Sequence, residues 1–147
     1  MPAANGIPIR NYFDVDIYNK EMQVLFEGRP NYIGAAGMLR QEGDYHVIER
    51  MNDAKILTQK DGIFSLVDNI CSHRQAKMLT GSGNSRYITC PYHRWSYEHG
   101  SGKCVRTPLH KEAVDEGTGL KQTHVEPWKD LLFTGERSFG KDVSNFH

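Results

Sequence analysis

Two short runs constrain this chain more than anything else in it: Cys71-Ser72-His73-Arg74 and Cys90-Pro91-Tyr92-His93-Arg94-Trp95, with sixteen residues between His73 and Cys90. Each run mixes one thiol with one imidazole. That is the donor set of a 2Fe–2S centre in which one iron takes two thiolates and the other two imidazoles. Such a centre dictates the fold around it, because two loops must converge on a small inorganic core while strands hold them rigid. On this reading Cys71, His73, Cys90 and His93 are the ligands, and each loop gives one ligand to each iron.

Other chemistries use the same side chains. Two thiolates and two imidazoles also suit tetrahedral zinc, although structural zinc sites usually keep cysteines in one element and histidines in another. Seven histidines and three cysteines could supply one Cys-x-His by chance, but not readily both spacings together. A catalytic cysteine–histidine pair needs no second pair. Zinc is the principal alternative on ligand type.

Cys71-Ser72-His73-Arg74 and Cys90-Pro91-Tyr92-His93-x-Trp95-x-Tyr97 resemble the Rieske domain of ring-hydroxylating and related Rieske non-haem iron oxygenases. The likeness extends upstream through Asn31-Tyr32-Ile33-Gly34, Gly43-Asp44-Tyr45, Asp61-Gly62-Ile63-Phe64 and Asn69-Ile70-Cys71. Downstream it covers Val125 to Phe133, which is similar to the strand that closes that domain. It implies a mainly β fold, an antiparallel barrel or sandwich with two cluster-binding loops and a short N-terminal helix. It also implies one-electron transfer from a flavin or iron–sulfur reductase to a mononuclear iron oxygenase domain, in trimers where one subunit's cluster serves a neighbour's iron. By resemblance the histidine Nδ1 atoms bind iron and Nε2 faces the acceptor.

The chain departs from the family pattern at Gln75 and Arg94, where glycine is usual and would allow positive φ or a close backbone approach. Arg94 places a positive charge beside the exposed edge of the cluster, either as a solvated surface arginine or in a docking or potential-tuning role. The membrane-tethered Rieske subunits of cytochrome bc complexes have a further cysteine in each loop, forming a disulfide; Ala76 and Tyr92 stand at those positions here. In that group a serine at the position of Trp95 donates a hydrogen bond to sulfide. Indole cannot replace it, although Tyr97 can reach a ligating sulfur, so a low potential of about −150 mV is expected. Arg74, Trp95 and Tyr97 are the expected surroundings of the cluster, with Trp95 and Tyr97 also packing under the loops.

Composition bounds the rest. The 147 residues suit one domain, and 18 basic against 18 acidic residues give no basic field for nucleic acid. With two cysteines committed, Cys104 has no disulfide partner and reads as a small half-buried strand residue. No run approaches the ~20 apolar residues of a membrane span, and Met1 to Asn11 lacks a signal-peptide core. A reducing, cytoplasmic setting is the expectation.

Val15, Tyr18, Met22 and Leu25 or Phe26 recur at helical spacing, predicting a core-facing amphipathic helix over 14–26 in an N-terminal extension of residues 1–30. A Rieske domain over 31–134 and a tail or linker over 135–147 complete the expected organisation. Short strands are expected at 31–35, 45–49, 54–59, 63–67, 86–90, 95–98, 103–106, 121–126 and 131–134. Turns are expected at Lys60-Asp61-Gly62, Gly81 to Ser85 and His99 to Gly102. Trp128 reads as core, and His46, His99, His110, His124 and His147 as surface or satisfied histidines. No Asp-x2-His-x4-His pattern marks a mononuclear iron site: His93 and His99 are six apart, and His110 and His124 fourteen. Three functions stay open: the Rieske domain of an oxygenase, a free-standing ferredoxin that feeds one, or a non-enzymatic redox-sensing or metal-binding module.

Overall fold

The computed structural model describes residues 6–26, 29–108 and 116–135. The chain divides into two compact units, Tyr32–Thr134 and a second drawn from Met1–Asn31 and Gly135–His147. The expected tail from Glu136 onward, with His110 and His147, lies outside the described residues.

The larger unit is built from short strands. A five-stranded sheet takes β2 (Asp44–Val47), β3 (Lys55–Lys60), β4 (Ile63–Asp68), β5 (Ser82–Asn84) and β9 (Gln122–His124) in the order β5-β2-β3-β4-β9, every neighbour antiparallel. A second sheet orders β1 (Asn31–Ala35), β11 (Leu131–Thr134) and β10 (Glu126–Trp128). A third orders β6 (Ile88–Thr89), β7 (Ser96–Tyr97) and β8 (Cys104–Arg106).

Strands β3 and β4 explain why the sheet has two cores. Neighbouring residues of a strand point to opposite faces, yet Ile56 and Leu57 are both buried, as are Leu66 and Val67. Leu57 and Leu66 pack with Ile33, Leu39, Ile48, Val125 and Leu132. Ile56 and Val67 pack instead with Cys71, Met78, Ile88, Cys90, Trp95 and Tyr97. A strand buried on both faces loses polar alternation, and the sheet becomes a wall whose second face carries the cysteine loops. The β3–β4 hairpin closes as expected: Lys60 pairs with Ile63 across Asp61 (φ 52°) and Gly62 (φ 76°), the two positive values that a type I′ turn requires.

Several expectations change. Gly81 to Ser85 is not only a turn, because Ser82–Asn84 pairs with β2, Gly83 opposite Tyr45. A Cβ on Gly83 would stand 2.7 Å from the Tyr45 hydroxyl, so the glycine is a close-approach residue. The expected strand at 121–126 is split at buried Val125: β9 pairs with β4 and β10 with β11. The closing segment is therefore a hairpin rather than one strand, turning through Lys129 at φ 52°. Trp128 is only half-buried, not core, and lies under the Lys129 ammonium, 4.9 Å from the ring centroid. Pro127 sits on β10, the edge strand, where a missing N–H costs no ladder bond.

In the other unit the helix covers the expected span, but its second part is π-helical. Asp14 caps α1 (Val15–Glu21) by accepting hydrogen bonds from the Asp16 and Ile17 amides at 3.0 and 3.3 Å, and a π-helical turn follows over Met22–Phe26. The expected core-facing stripe is exposed: no residue of α1 is buried, and Val15 and Tyr18 are 67% and 58% exposed. Among the described residues no helix is long and apolar enough to cross a membrane.

Candidate functional site

Cysteine and histidine are set by two loops of the same construction. An isolated bridge between Ile70 and Lys77 closes the first, residues 71–76, and the β6–β7 pair Thr89–Ser96 closes the second, residues 90–95. Each loop begins with its cysteine. The Cys71 amide donates to the Ala76 carbonyl at 2.9 Å and the Cys90 amide to the Trp95 carbonyl at 2.8 Å. The fifth residue returns the bond: the Gln75 amide donates to the Cys71 carbonyl at 2.8 Å and the Arg94 amide to the Cys90 carbonyl at 3.1 Å. The histidines alone break the match, third in one loop and fourth in the other.

Gln75 and Arg94, the departures from glycine, have φ of 55° and 60°. The left-handed turn is kept without the residue that adopts it freely. A non-glycine residue held there costs about 1–2 kcal/mol, against roughly 0.5–1 kcal/mol of extra unfolded-state entropy for glycine. Exposed Gln75→Gly is therefore expected to stabilise the domain by about 0.5 kcal/mol, read as a rise in thermal midpoint.

The four side chains line one cavity of about 290 Å³, together with Arg74, Ala76 and Tyr92. Cys71 and Cys90 are each 1% exposed, whereas His73 and His93 are half-buried. Thiols thus lie on the core side and imidazoles toward the surface. The two imidazoles meet edge to face with centroids 4.8 Å apart. Trp95 crosses from the second loop to stack on His73 of the first, 4.8 Å between centroids and 7° between planes, and is itself buried. Arg74 stands exposed on the cavity wall.

Tyr97 reaches back beneath the first loop. Its hydroxyl is 3.2 Å from Cys71 Sγ, accepts from the Ser72 amide at 3.2 Å, and lies 2.9 Å from Ser72 Oγ. Ser72 Oγ donates its own proton to the Thr118 carbonyl, which leaves the Tyr97 proton to the Cys71 sulfur or the Ser72 oxygen. A charged thiolate is the stronger acceptor. Burial, and then the Cys71 sulfur, push the Tyr97 pKa far above its ordinary value, so the phenol keeps its proton.

Two contributors escaped the sequence reading. Ser72 ties the first loop to the 116–118 turn through Tyr97 and Thr118. Asn69, fully buried, donates to the carbonyls of Asp53 and Leu79, both at 2.8 Å, and accepts from the Met78 and Leu79 amides at 3.3 and 2.9 Å. A polar residue at the end of an apolar strand, two before a ligand, was the available signal. Cys104 is fully buried rather than half-buried, and burial raises its thiol pKa, which keeps it unreactive.

The histidines outside the loops also differ from one another. His124 is exposed, and His46 Nδ1 is bonded to Ser82 Oγ. His99 is only 3% exposed, with Nε2 3.4 Å from Ser85 Oγ and no hydrogen-bond partner at Nδ1 among the described residues. Burial lowers its pKa below the reference 6.5. The unfolded chain therefore takes up this proton more readily than the folded one. The folded state should lose stability as pH falls through about 6.5. Thermal midpoints across that range should fall less steeply for His99→Gln than for the natural chain.

With the loops, cavity and donor set in place, comparison with known proteins is decisive. The Rieske [2Fe-2S] domain model matches residues 30–126. The chain belongs to that family. The chain is 34% identical over 144 residues to putrescine 2-hydroxylase of Ralstonia nicotianae, covering 98% of this chain and 39% of that protein. It is 31% identical over 150 residues to the benzene 1,2-dioxygenase alpha subunit of Pseudomonas putida, covering 97% and 33%. Its fold matches the quaternary ammonium Rieske monooxygenase CntA with TM-score 0.76 at 22% identity, over 96% of this chain and 42% of that one. The chain thus spans between a third and two fifths of the length of these two relatives. A domain of this family carries a Rieske-type 2Fe–2S cluster. The donors here fit it in type and number: two buried thiols and two outer imidazoles on one cavity.

Proposed function

We propose that Cys71 and Cys90 hold the inner iron of the cluster and His73 and His93 the outer one. The domain, residues 31–134 between an extension over 1–30 and a tail over 135–147, passes single electrons from a flavin or iron–sulfur reductase to the mononuclear iron domain of a Rieske non-haem iron oxygenase. The observation that carries this reading is the segregation of donor side chains, fully buried thiols against half-buried imidazoles, around one cavity. A single tetrahedral zinc ion has no use for that separation into an inner and an outer pair. The relatives' alignment over 97–98% of the chain, N-terminal segment included, supports the oxygenase reading over a minimal free-standing carrier. The cysteine usage suits a reducing, cytoplasmic setting.

When bound, the cluster supplies a one-electron couple. The residues around it set where that couple opens and how strongly the electron is held. The half-exposed edges of His73 and His93 are the way out to a partner. Trp95 fixes the plane of the His73 ring from the opposite loop. The Tyr97 hydroxyl lies 3.2 Å from the sulfur of Cys71, placed to donate to a thiolate there.

Protein-film voltammetry tests both assignments. The holo-domain should show a couple toward the low end of the Rieske range, about −150 mV, and a value above about +100 mV would refute the oxygenase reading. Tyr97→Phe removes one hydrogen bond to sulfur that is worth about 1 kcal/mol more in the reduced state, so the potential should fall by ~40 mV.

A further inference from the structure

We propose that the groove between the second loop and strand β8 is the docking site for an acidic electron-donor protein, with Arg94 and Arg106 as its anchors. This rests on the cluster reading above and names the surface through which the cluster is reached.

The groove, about 580 Å³, runs over one face of the β6-β7-β8 sheet. Thr89, Ser96 and Arg106 stand side by side across the three strands, because Thr89 pairs with Ser96 and Ser96 with Arg106. The floor hydroxyls satisfy each other: Thr89 Oγ1 lies 3.1 Å from Ser96 Oγ, which donates to the Arg94 carbonyl at 3.2 Å. That bond pins the backbone of Arg94 at the groove's rim, directly after His93. Both guanidinium groups are exposed, and among the described residues neither Arg94 nor Arg106 makes an ion pair.

Charge makes the groove specific. The chain as a whole is neutral, 18 basic against 18 acidic residues. Yet this groove and the cluster cavity, which share the second loop, together present Arg74, Arg94 and Arg106 and, among the described residues, no carboxylate in their lining. By contrast, the cleft on the far side of Tyr87 sets Glu42 and Glu98 against Lys60 and Arg86. Nor does the backbone ask for arginine at 94: its φ of 60° is a glycine conformation. Apolar surface accompanies the charge, with Val105 40% and Tyr92 71% exposed. Arginine and aromatic residues together mark protein interfaces, and planar guanidinium groups match carboxylates in two-point contacts. Two arginines on a neutral chain offer no field for nucleic acid, so the occupant is an acidic protein. Arg94 on the groove's rim directly follows His93, which lines the neighbouring cluster cavity, so a donor held by Arg94 stands next to that loop.

The test is stopped-flow reduction of the cluster-loaded full chain by reduced plant-type 2Fe–2S ferredoxin, used as an acidic donor of lower potential. At low ionic strength the rate should be high and should fall steeply with added salt. Arg94→Gly keeps the left-handed turn and should fold. Combined with Arg106→Gln it should slow reduction about tenfold and flatten the salt dependence, while Arg94→Lys with Arg106→Lys should restore most of the rate. Unchanged rate and salt dependence in the double variant, with the visible spectrum of the cluster intact, would overturn this inference alone. A natural chain without the cluster spectrum would overturn the ligand reading and this inference with it.

Discussion

Asn69→Ala is expected to destabilise the Rieske domain by about 3 kcal/mol, although Asn69 touches no ligand. Its fully buried side chain makes four hydrogen bonds to main-chain groups of Asp53, Met78 and Leu79. Those groups lie at a buried or part-buried site, where a polar group left unpaired costs about 1–3 kcal/mol; the Met78 amide keeps a second partner, the Asn69 carbonyl. The residues it ties flank the Ile70–Lys77 bridge that closes the first loop. Truncation should therefore lower the thermal midpoint by roughly 10 °C or more and reduce cluster occupancy together. Asn69→Asp is a stringent control: it keeps the acceptors for Met78 and Leu79 but loses both donors and buries a charge, so it should fare no better. Chemical denaturation of both variants checks this, and a loss within 0.5 kcal/mol, as at ordinary surface sites, would remove Asn69 from the account.

Cys71→Ala and Cys90→Ala should each abolish cluster binding, taking iron from about two per chain to near zero. The effect on folding should be comparably large. Both sulfurs lie in the core formed with Ile56, Val67, Trp95 and Tyr97, and on the proposed ligation a bound cluster would join the two loops across the cavity. Binding free energy at such a site is folding free energy, so several kcal/mol should go with it. Cys104→Ala serves as the comparison: it deletes an equally buried thiol of the same core, but one outside the cavity lining. It should keep its iron and lose only the packing of one small side chain. Iron content and the visible spectrum of the three variants separate ligand from core cysteine.

The convergence of the four candidate ligands was more legible in the sequence than the exact course of the strands, for a physical reason. Ligand chemistry is local: Cys-x-His and Cys-x2-His each fall within four residues, and the turns that present them close through bonds between the first, fifth and sixth loop positions. Strands announced by their own turns were legible too, as with Asp61-Gly62 between β3 and β4. What was lost depended on partners distant in sequence. Ser82-Gly83-Asn84 reads as a turn until Tyr45 lies across Gly83 and makes it a strand. Lys121 to Glu126 reads as one strand because nothing local shows that the chain changes sheets at Val125. Trp128 has the composition of a core residue but the position of an edge residue. His99 and His124 are indistinguishable by type, and only tertiary packing buries one and exposes the other. The departures at Gln75 and Arg94 are the converse: the residue type argues against a left-handed turn, and the loop's two closing bonds impose it.

The central claim is that two thiols and two imidazoles hold one 2Fe–2S cluster, and it is tested most directly by iron and acid-labile sulfide per chain with the electron paramagnetic resonance spectrum before and after dithionite. Protein made under iron-replete, anaerobic conditions should contain about two iron and two sulfide per chain, silent when oxidised and giving a one-electron signal on reduction. Stoichiometric zinc without labile sulfide, and no signal on reduction, would contradict the account.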